Sequence, residues 1–302
     1  MKDTFYGYHP IVNLAYFAAV LGFGMYFTHP VCLVISFTCA FAYSVYINGK
    51  KALRFNIVYM LPMMLVAALI NPAFNHQGGT ILTYLPSGNP LTLESVAYGI
   101  VAATLMASVV SWFSCFNAVM TSDKFIYIFG RVIPALSLIL SMALRFVPRF
   151  RAQLKVISNA QRCVGRDVSN GGVLRRARNG IRILSIMITW ALENAIETAD
   201  SMKSRGYGLP GRTAFSIYRF DKRDRTALAF TLGCAAFIIV GAAFGALEWR
   251  YFPTVRGTLT GAHTMSVFIV YLALCAMPII INVKEDITWK ALDRQTPMKS
   301  KI

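Results

Sequence analysis

The sequence predicts an all-α polytopic membrane protein with about six transmembrane helices and a cytoplasmic insert of long amphipathic helices. Of the 302 residues, 56% are hydrophobic and only 14% are charged, whereas water-soluble domains carry about a quarter charged residues. Several uncharged runs reach the roughly 20 residues that a helix needs to cross a bilayer. The chain also holds 30 Lys and Arg against 13 Asp and Glu. DNA, anionic lipid or an acidic protein are the candidate partners for this basic excess.

The first two predicted spans form a hairpin. Residues 1–48 are charged only at Lys2 and Asp3, and His29-Pro30 interrupts their apolar run. No small-residue cleavage site follows a short apolar core, so this amino terminus is predicted to be a retained helix and not a signal peptide. Together with four later runs, the predicted spans are residues 11–28, 31–48, 55–71, 95–121, 226–247 and 257–283.

Two further apolar segments are too short to span a membrane. Residues 132–144 are 13 uncharged residues, and residues 183–192 are only 10. At a helical rise of about 1.5 Å per residue, the longer segment covers only about 20 Å of the roughly 30 Å hydrocarbon core. We therefore predict that both segments form amphipathic or interfacial helices.

The distribution of basic residues predicts the topology. With a cytoplasmic amino terminus, 28 of the 30 basic residues lie on the cytoplasmic side, and only Arg250 and Arg256 lie outside. The positive-inside rule favours this arrangement, so we predict a multi-pass cell-membrane protein with both termini in the cytoplasm. The predicted domains are a four-span membrane domain (1–120), a basic cytoplasmic domain (121–225), a two-span membrane hairpin (226–283) and a basic cytoplasmic tail (284–302).

The basic domain contains two predicted amphipathic helices. It carries 19 basic and 7 acidic residues. After Pro148, apolar residues recur at steps of three and four, which is typical of a helix with one apolar face; they are Phe150, Leu154, Ile157 and Ala160. A break at residues 169–172 separates this helix from a second one, whose apolar stripe consists of Ile181, Leu184, Ile188, Leu192, Ala195, Ile196 and Ala199.

The second helix also has an acidic side and a defined end. Glu193, Glu197 and Asp200 follow at spacings of four and three, so they stack along one face.

The second helix is predicted to stop at Arg205-Gly206, because Gly206 can adopt the left-handed conformation and Pro210 prevents resumption. Arg205 then either projects from the helix tip into an acidic or carbonyl-lined groove of another protein or acts as an ordinary cap that complements the helix dipole.

The order of these parts resembles the transmembrane T component of energy-coupling factor (ECF) type ABC transporters, the CbiQ/EcfT-like family. The resemblance covers essentially the whole chain, from Tyr8-His9-Pro10 before the first span to the spans that follow the basic helices. Its most specific part is Ser204-Arg205-Gly206, which resembles the second coupling motif of that family, Ala-Arg-Gly, with Ser204 replacing Ala. The first coupling motif is degenerate, because Cys163-Val164-Gly165 stands in the place of Ala-Arg-Gly, flanked by Arg162 and Arg166.

The resemblance implies a scaffold that transmits force and has no chemistry of its own. In that family, the coupling helices rest on two ABC-type ATPase subunits, which bind the ATP, and on a small membrane S component that captures the substrate. The expected function is uptake of a micronutrient, either a vitamin or a transition-metal ion. Glu193, Glu197 and Asp200 are then expected to support the coupling helices, and membrane lipid is a further expected partner. No catalytic residue, cofactor, metal site or nucleic-acid partner is expected.

Other function classes have less support in the sequence. A membrane enzyme would need a motif such as HExxH, GxSxG or GxxxxGK[ST], and none is present. A self-sufficient carrier usually keeps an ionisable group inside a span, but every acidic residue lies outside the predicted spans.

The six Cys include no CxxC pair, and His29, His76 and His263 are scattered in predicted loops. Neither set predicts a metal site. Nucleic-acid binding is disfavoured because the basic residues lie on one side of a membrane topology and alternate with apolar stripes.

Overall fold

The computed structural model describes residues 3–84, 90–169, 171–209, 218–257 and 261–295, and it confirms the all-α class. The elements among these residues are a 3-10 turn at Phe5–Gly7; helices α1 (Pro10–Tyr26), α2 (Pro30–Asn48), α3 (Lys50–Phe55), α4 (Leu61–Phe74), α5 (Leu93–Val119), α6 (Ser122–Val132), α7 (Pro134–Cys163), α8 (Val173–Ser204), α9 (Lys222–Ala243) and α10 (Ala262–Gln295); a π-helical turn at Asn56–Met60; and two antiparallel hairpins, β1 (Ile81–Tyr84) with β2 (Pro90–Thr92) and β3 (Trp249–Arg250) with β4 (Arg256–Gly257).

Five helical segments of the described chain are long and apolar enough to cross a membrane. They are Pro30–Asn48, Lys50–Phe74, Leu93–Val119, Lys222–Ala243 and Ala262–Ala291. The first predicted span corresponds to α1, which is apolar but only 17 residues long, at the lower end of the range that spans a bilayer. The third runs without interruption from α3 through the π-helical turn into α4.

The last two predicted spans differ from the helices at their ends. The span predicted at 226–247 starts earlier, at Lys222, because Asp221 and Asp224 form a capping box. It ends earlier, at Ala243, because Gly245 adopts φ +79° and terminates the helix. The span predicted at 257–283 starts at Ala262 and continues beyond Val283 to Gln295, since Lys, Glu, Ala, Leu, Arg and Gln, which favour helices, make up most of this extension. The domain boundaries stay a prediction.

The first of two compact units comprises the described parts of residues 1–125 and 218–302. In this unit α5 packs against α1, α2 and α4, and α10 packs against α2 and α9. Tyr16, Tyr43, Trp112 and Tyr271 are the largest fully buried side chains. The Trp112 indole donates a hydrogen bond to Ser36 (3.0 Å), whose hydroxyl pairs with that of Ser108 (2.8 Å). Polar groups inside a bilayer need such internal partners because lipid offers none.

The amino-terminal segment is fixed to the helices of this unit by polar contacts. The Thr4 amide donates to Asn282 Oδ1 (2.7 Å), and the Tyr43 hydroxyl donates to Asp3 Oδ2 (3.0 Å). Lys124, which is only 1% exposed, donates through Nζ to the carbonyls of Tyr6 and Val119. Burial lowers the pKa of Lys124 from 10.5 to about 8, and Asp3 opposes part of this shift.

The lowered pKa of Lys124 predicts a pH-dependent stability. Below about pH 8 the ammonium is charged in both folded and unfolded chains. Between about 8 and 10.5 the unfolded chain binds more protons, so the free energy of unfolding rises with pH by about 3 kcal/mol from this group. We expect Lys124→Met to remove that rise. Thermal melting of both purified proteins from neutral pH to pH 10.5 tests it; parallel curves would contradict the assignment.

The second unit covers the described part of residues 126–217 and consists mainly of α7 packed against α8. The prediction of separate helices for residues 132–144 and for the segment after Pro148 is wrong, because Pro134–Cys163 is one helix that contains Pro148. Proline removes a single backbone hydrogen bond and usually kinks a helix without having to end it. The short apolar segment at 183–192 is likewise part of a longer helix, α8.

Candidate functional site

The face of α8 that packs against α7 differs from the predicted apolar stripe. Asn179, Ile183 and Asn194 are buried on α8. The Trp190 ring lies edge-on to Phe150 of α7 at 5.5 Å between centroids, and the Arg149 guanidinium lies 5.6 Å from the Trp190 centroid. This face was not predicted because two of its buried members are asparagines. The helical steps of four, seven and four, from Asn179 through Ile183 and Trp190 to Asn194, are the signal that could have identified it.

The predicted stripe of α8 lies on the exposed side of the helix instead. Its five large members are 53% to 68% exposed, and the two alanines of the stripe are exposed as well. Those large members are Ile181, Leu184, Ile188, Leu192 and Ile196. The stripe runs about 22 Å along the helix at the usual rise per residue. A contiguous exposed apolar surface of this kind marks a protein or membrane interaction site.

The acidic residues of α8 are also exposed. Glu193, Glu197 and Asp200 all lie at the surface, and within the described residues none of them forms an ion pair. They follow each other within two helical turns, close to the carboxyl end of α8. Their predicted role as support for the coupling helices stays a prediction.

Helices α7 and α8 end in the same backbone motif. At the end of α7, the Gly165 amide donates to the Arg162 carbonyl (3.0 Å) and the Arg166 amide to the Gln161 carbonyl (2.9 Å). At the end of α8, the Gly206 amide donates to the Lys203 carbonyl (2.9 Å) and the Tyr207 amide to the Met202 carbonyl (3.0 Å). This pair of bonds is the Schellman motif, which requires a left-handed residue after the cap.

The glycines of both ends have the required conformation. Gly165 has φ +74° and Gly206 has φ +71°, which confirms the left-handed conformation predicted for Gly206. The residue before each glycine is the C-cap, Val164 on α7 and Arg205 on α8. The two predicted coupling motifs therefore occupy equivalent positions, and Cys163 corresponds to Ser204. Pro210, the predicted second stop signal, lies outside the described residues.

The first of these turns is closed by its own side chains. Arg162 Nε lies 3.4 Å from Asp167 Oδ2, and the Arg176 Nε donates to the Val168 carbonyl (2.8 Å). Hydrogen bonds from Ser169, together with Arg162, hold the pKa of the Asp167 carboxyl below its usual range. Arg166 makes no ion pair within the described residues. Of the two arginines that flank the degenerate motif, Arg166 is thus the one available to a partner.

The second turn presents an unpaired cation. Arg205 is exposed, and its guanidinium forms no hydrogen bond or ion pair with any residue that the structure describes. The neighbouring Ser204 hydroxyl donates to the Ser201 carbonyl at 2.9 Å. A planar, permanently charged guanidinium at a helix tip is suited to bidentate binding of a carboxylate. The predicted docking role of Ser204, Arg205 and Gly206 is compatible with this geometry and stays a prediction.

Comparison with known proteins places the chain among transport proteins. The model of the CbiQ family, described as cobalt transport protein, matches residues 10–215. The energy-coupling factor transporter transmembrane protein EcfT of Lactobacillus helveticus is 35% identical over 114 residues, which are 37% of this chain and 41% of that relative. The EcfT protein of Leuconostoc gelidum is 35% identical over 112 residues, with the same two shares. For EcfT of Bacillus selenitireducens the match is 27% identical over 200 residues, which are 63% of this chain and 72% of the relative. The chain thus matches less than half the length of the first two relatives.

Proposed function

Because the chain belongs to the CbiQ family of cobalt transport proteins, matched over residues 10–215, we propose that it is the transmembrane energy-coupling subunit of an ECF-type ABC importer. Two cytoplasmic ATPases would bind and hydrolyse ATP, and a separate small membrane protein would capture a vitamin or a transition-metal ion. The observation that carries this proposal is the shared construction of two helix ends, each a Schellman turn with an arginine whose guanidinium has no partner among the described residues.

The helix ends supply the contacts to the ATPases. Arg205 at the end of α8 and Arg166 at the end of α7 lie in exposed turns of fixed backbone geometry. Each guanidinium can bind a carboxylate of an acidic groove without first breaking an internal ion pair. Rigid attachment to helices of 30 and 32 residues allows a displacement at these tips to be passed along the helices.

The exposed stripe of α8 supplies the contact to the substrate-binding subunit. Its large apolar side chains, from Ile181 to Ile196, lie on the side of α8 that α7 does not cover. Burial of such side chains contributes about 1.5 to 3 kcal/mol each, which favours a membrane protein partner with an apolar cytoplasmic surface. In this proposal the chain itself binds neither ATP nor the transported substrate.

Co-purification from the native membrane tests the proposed assembly. We expect the tagged chain to bring down two ABC-type ATPase subunits and one small hydrophobic protein. ATP hydrolysis is expected from that complex and not from the chain alone, since the sequence has no phosphate-binding glycine loop. Turnover by the isolated chain, or uptake by the chain reconstituted without partners, would instead support the membrane enzyme or the self-sufficient carrier.

The two turns make a further prediction about the degenerate first motif. Arg166→Glu is expected to weaken ATPase binding by about ten-fold or more, since a charge-assisted contact contributes at least about 1.5 kcal/mol. Val164→Ala is the matched control, because Val164 is 65% exposed and carries no charge, and it should leave binding unchanged. Pull-down of the ATPases by each variant measures the difference. If both variants retain the ATPases equally, Arg166 is not part of the docking surface.

A further inference from the structure

An open groove of about 810 Å³ lies between α1 and α9 in the first unit. Small residues of both helices line it, together with aromatic residues of α1 and its C-cap. The small residues are Ala18, Ala19 and Gly22 of α1 and Ala242 and Ala243 of α9; the aromatic ones are Phe23, Tyr26 and Phe27. A volume of this size is within the range of ligand sites. Nothing in the described chain fills it, and a Cβ at Gly22 would meet no atom within 4 Å.

One end of the groove carries charge. Glu248, Trp249 and Arg250 line it there, after the turn that follows α9. Glu248 and Arg250 both line the groove, so one ligand can contact both side chains. Arg256 is paired directly opposite Arg250 in the β3–β4 hairpin, and directly opposed residues share a face of the ladder. The two arginines are also the only Lys or Arg residues that the predicted topology places outside the cytoplasm.

The charged rim of the groove, formed by Glu248, Arg250 and Arg256, is held in position by aromatic and hydrogen-bonding contacts. The Tyr251 hydroxyl donates to the Thr28 carbonyl at the end of α1 (2.7 Å). The Trp249 ring lies 4.9 Å from the His29 ring, and a Cβ on Gly257 would come within 2.0 Å of the Trp249 ring. The hairpin therefore packs closely against the α1–α2 connection. Like charges opposed in a ladder are destabilising, so an anion between Arg250 and Arg256 would stabilise the hairpin.

We propose that this groove binds one phospholipid of the surrounding membrane, with its phosphate at Arg250 and Arg256 and an acyl chain along the small residues of α1 and α9. Glu248 adds a carboxylate next to the phosphate site, which favours a headgroup that carries an ammonium group. A primary ammonium donates hydrogen bonds to a carboxylate, whereas a quaternary one cannot. The site is therefore assigned to phosphatidylethanolamine in preference to phosphatidylcholine or phosphatidylglycerol.

The charges of the rim distinguish this occupant from a partner helix. Small residues alone would also allow a second transmembrane helix to approach closely. Such a helix would bring apolar side chains to the rim and leave the net positive charge of Glu248, Arg250 and Arg256 uncompensated. Tyr26 and Trp249 flank the same end, and these residue types concentrate at the headgroup level of membranes.

Native mass spectrometry of the full chain tests the proposal with three added lipids of equal acyl length. We expect one phosphatidylethanolamine to be retained about ten-fold more strongly than phosphatidylglycerol, equivalent to about 1.4 kcal/mol. Gly22→Leu should fill the groove and abolish this retention. Gly233→Leu is the matched control, because Gly233 lies in α9, a Cβ there also meets nothing within 4 Å, and it does not line the groove. Equal melting temperatures would show that both variants fold.

A separate variant, Glu248→Arg, tests the headgroup assignment. It should bind phosphatidylglycerol in preference to phosphatidylethanolamine, since the rim then carries only cations. Retention of lipid by Gly22→Leu at the level of the Gly233→Leu control would overturn the groove as the site. Equal retention of all three lipids by the unaltered chain would overturn the headgroup assignment. Loss of a membrane protein subunit from the complex of Gly22→Leu, with lipid retention unchanged, would show that a helix occupies the groove.

Discussion

Arg205→Glu is expected to abolish substrate uptake and to release the ATPase subunits while the protein remains inserted in the membrane. The guanidinium of Arg205 is exposed at the tip of α8 and has no partner within the described residues. An arginine at a helix end contributes only about 0.3 to 1 kcal/mol to its own helix, so folding should survive. Loss of one partner from a docked ion pair costs about 2 to 5 kcal/mol, which is about thirty-fold or more in affinity.

The reversed charge should have a larger effect than removal of the charge. Arg205→Ala loses the attraction to an acidic groove, and Arg205→Glu adds repulsion to that loss. Arg151→Glu is the matched control, because Arg151 is an exposed arginine in the middle of α7, away from both turns. Pull-down of the ATPases and an uptake assay on all three variants measure the effect. If Arg205→Glu still binds the ATPases and supports uptake, Arg205 is an ordinary helix cap.

The sequence predicted the membrane helices better than their ends. Uncharged length alone identified α2, α5 and α10, because a bilayer selects on hydropathy over about 20 residues. The ends of α9 depend on other forces, namely the capping box of Asp221 and Asp224 and the left-handed Gly245. The continuity of α7 through Pro148 could not be predicted, since proline ends some helices and kinks others according to the packing around it.

The candidate site shows a similar division between local and tertiary information. The glycine stop of α8 was predictable, because left-handed glycine after a helix is a local preference. The outward orientation of the stripe from Ile181 to Ile196 was not predictable. Helix α8 has two faces with helical spacing, and the stripe is the more apolar of the two, so it was expected to be the buried one. Asn179 donates to the Asp167 carbonyl (2.9 Å) and Asn194 to the Trp190 carbonyl (2.9 Å), and these partners allow a polar face to be the buried one.

Gly99→Leu is expected to cause a large loss of stability in the membrane unit. Gly99 lies in α5 against α4, and a Cβ there would be 2.5 Å from the Ala68 carbonyl oxygen and 3.2 Å from Pro72 Cδ. A backbone atom cannot rotate away as a side chain does, so α4 and α5 must separate. Small residues permit such close approach between membrane helices, and overpacking commonly costs about 1 to 3 kcal/mol and occasionally more.

Separation of these two helices would also affect a polar contact between them. The Asn71 side chain of α4 donates to the Ser95 carbonyl of α5 at 2.8 Å, and breaking this bond would leave the Asn71 amide donor without a partner, because lipid offers none. Gly233→Leu is again the matched control, since its Cβ meets open space and its change in volume is identical. We expect Gly99→Leu to lower the melting temperature and the monodisperse yield sharply relative to Gly233→Leu. Similar melting temperatures for both variants would show that α4 and α5 do not approach each other at Gly99 as closely as described.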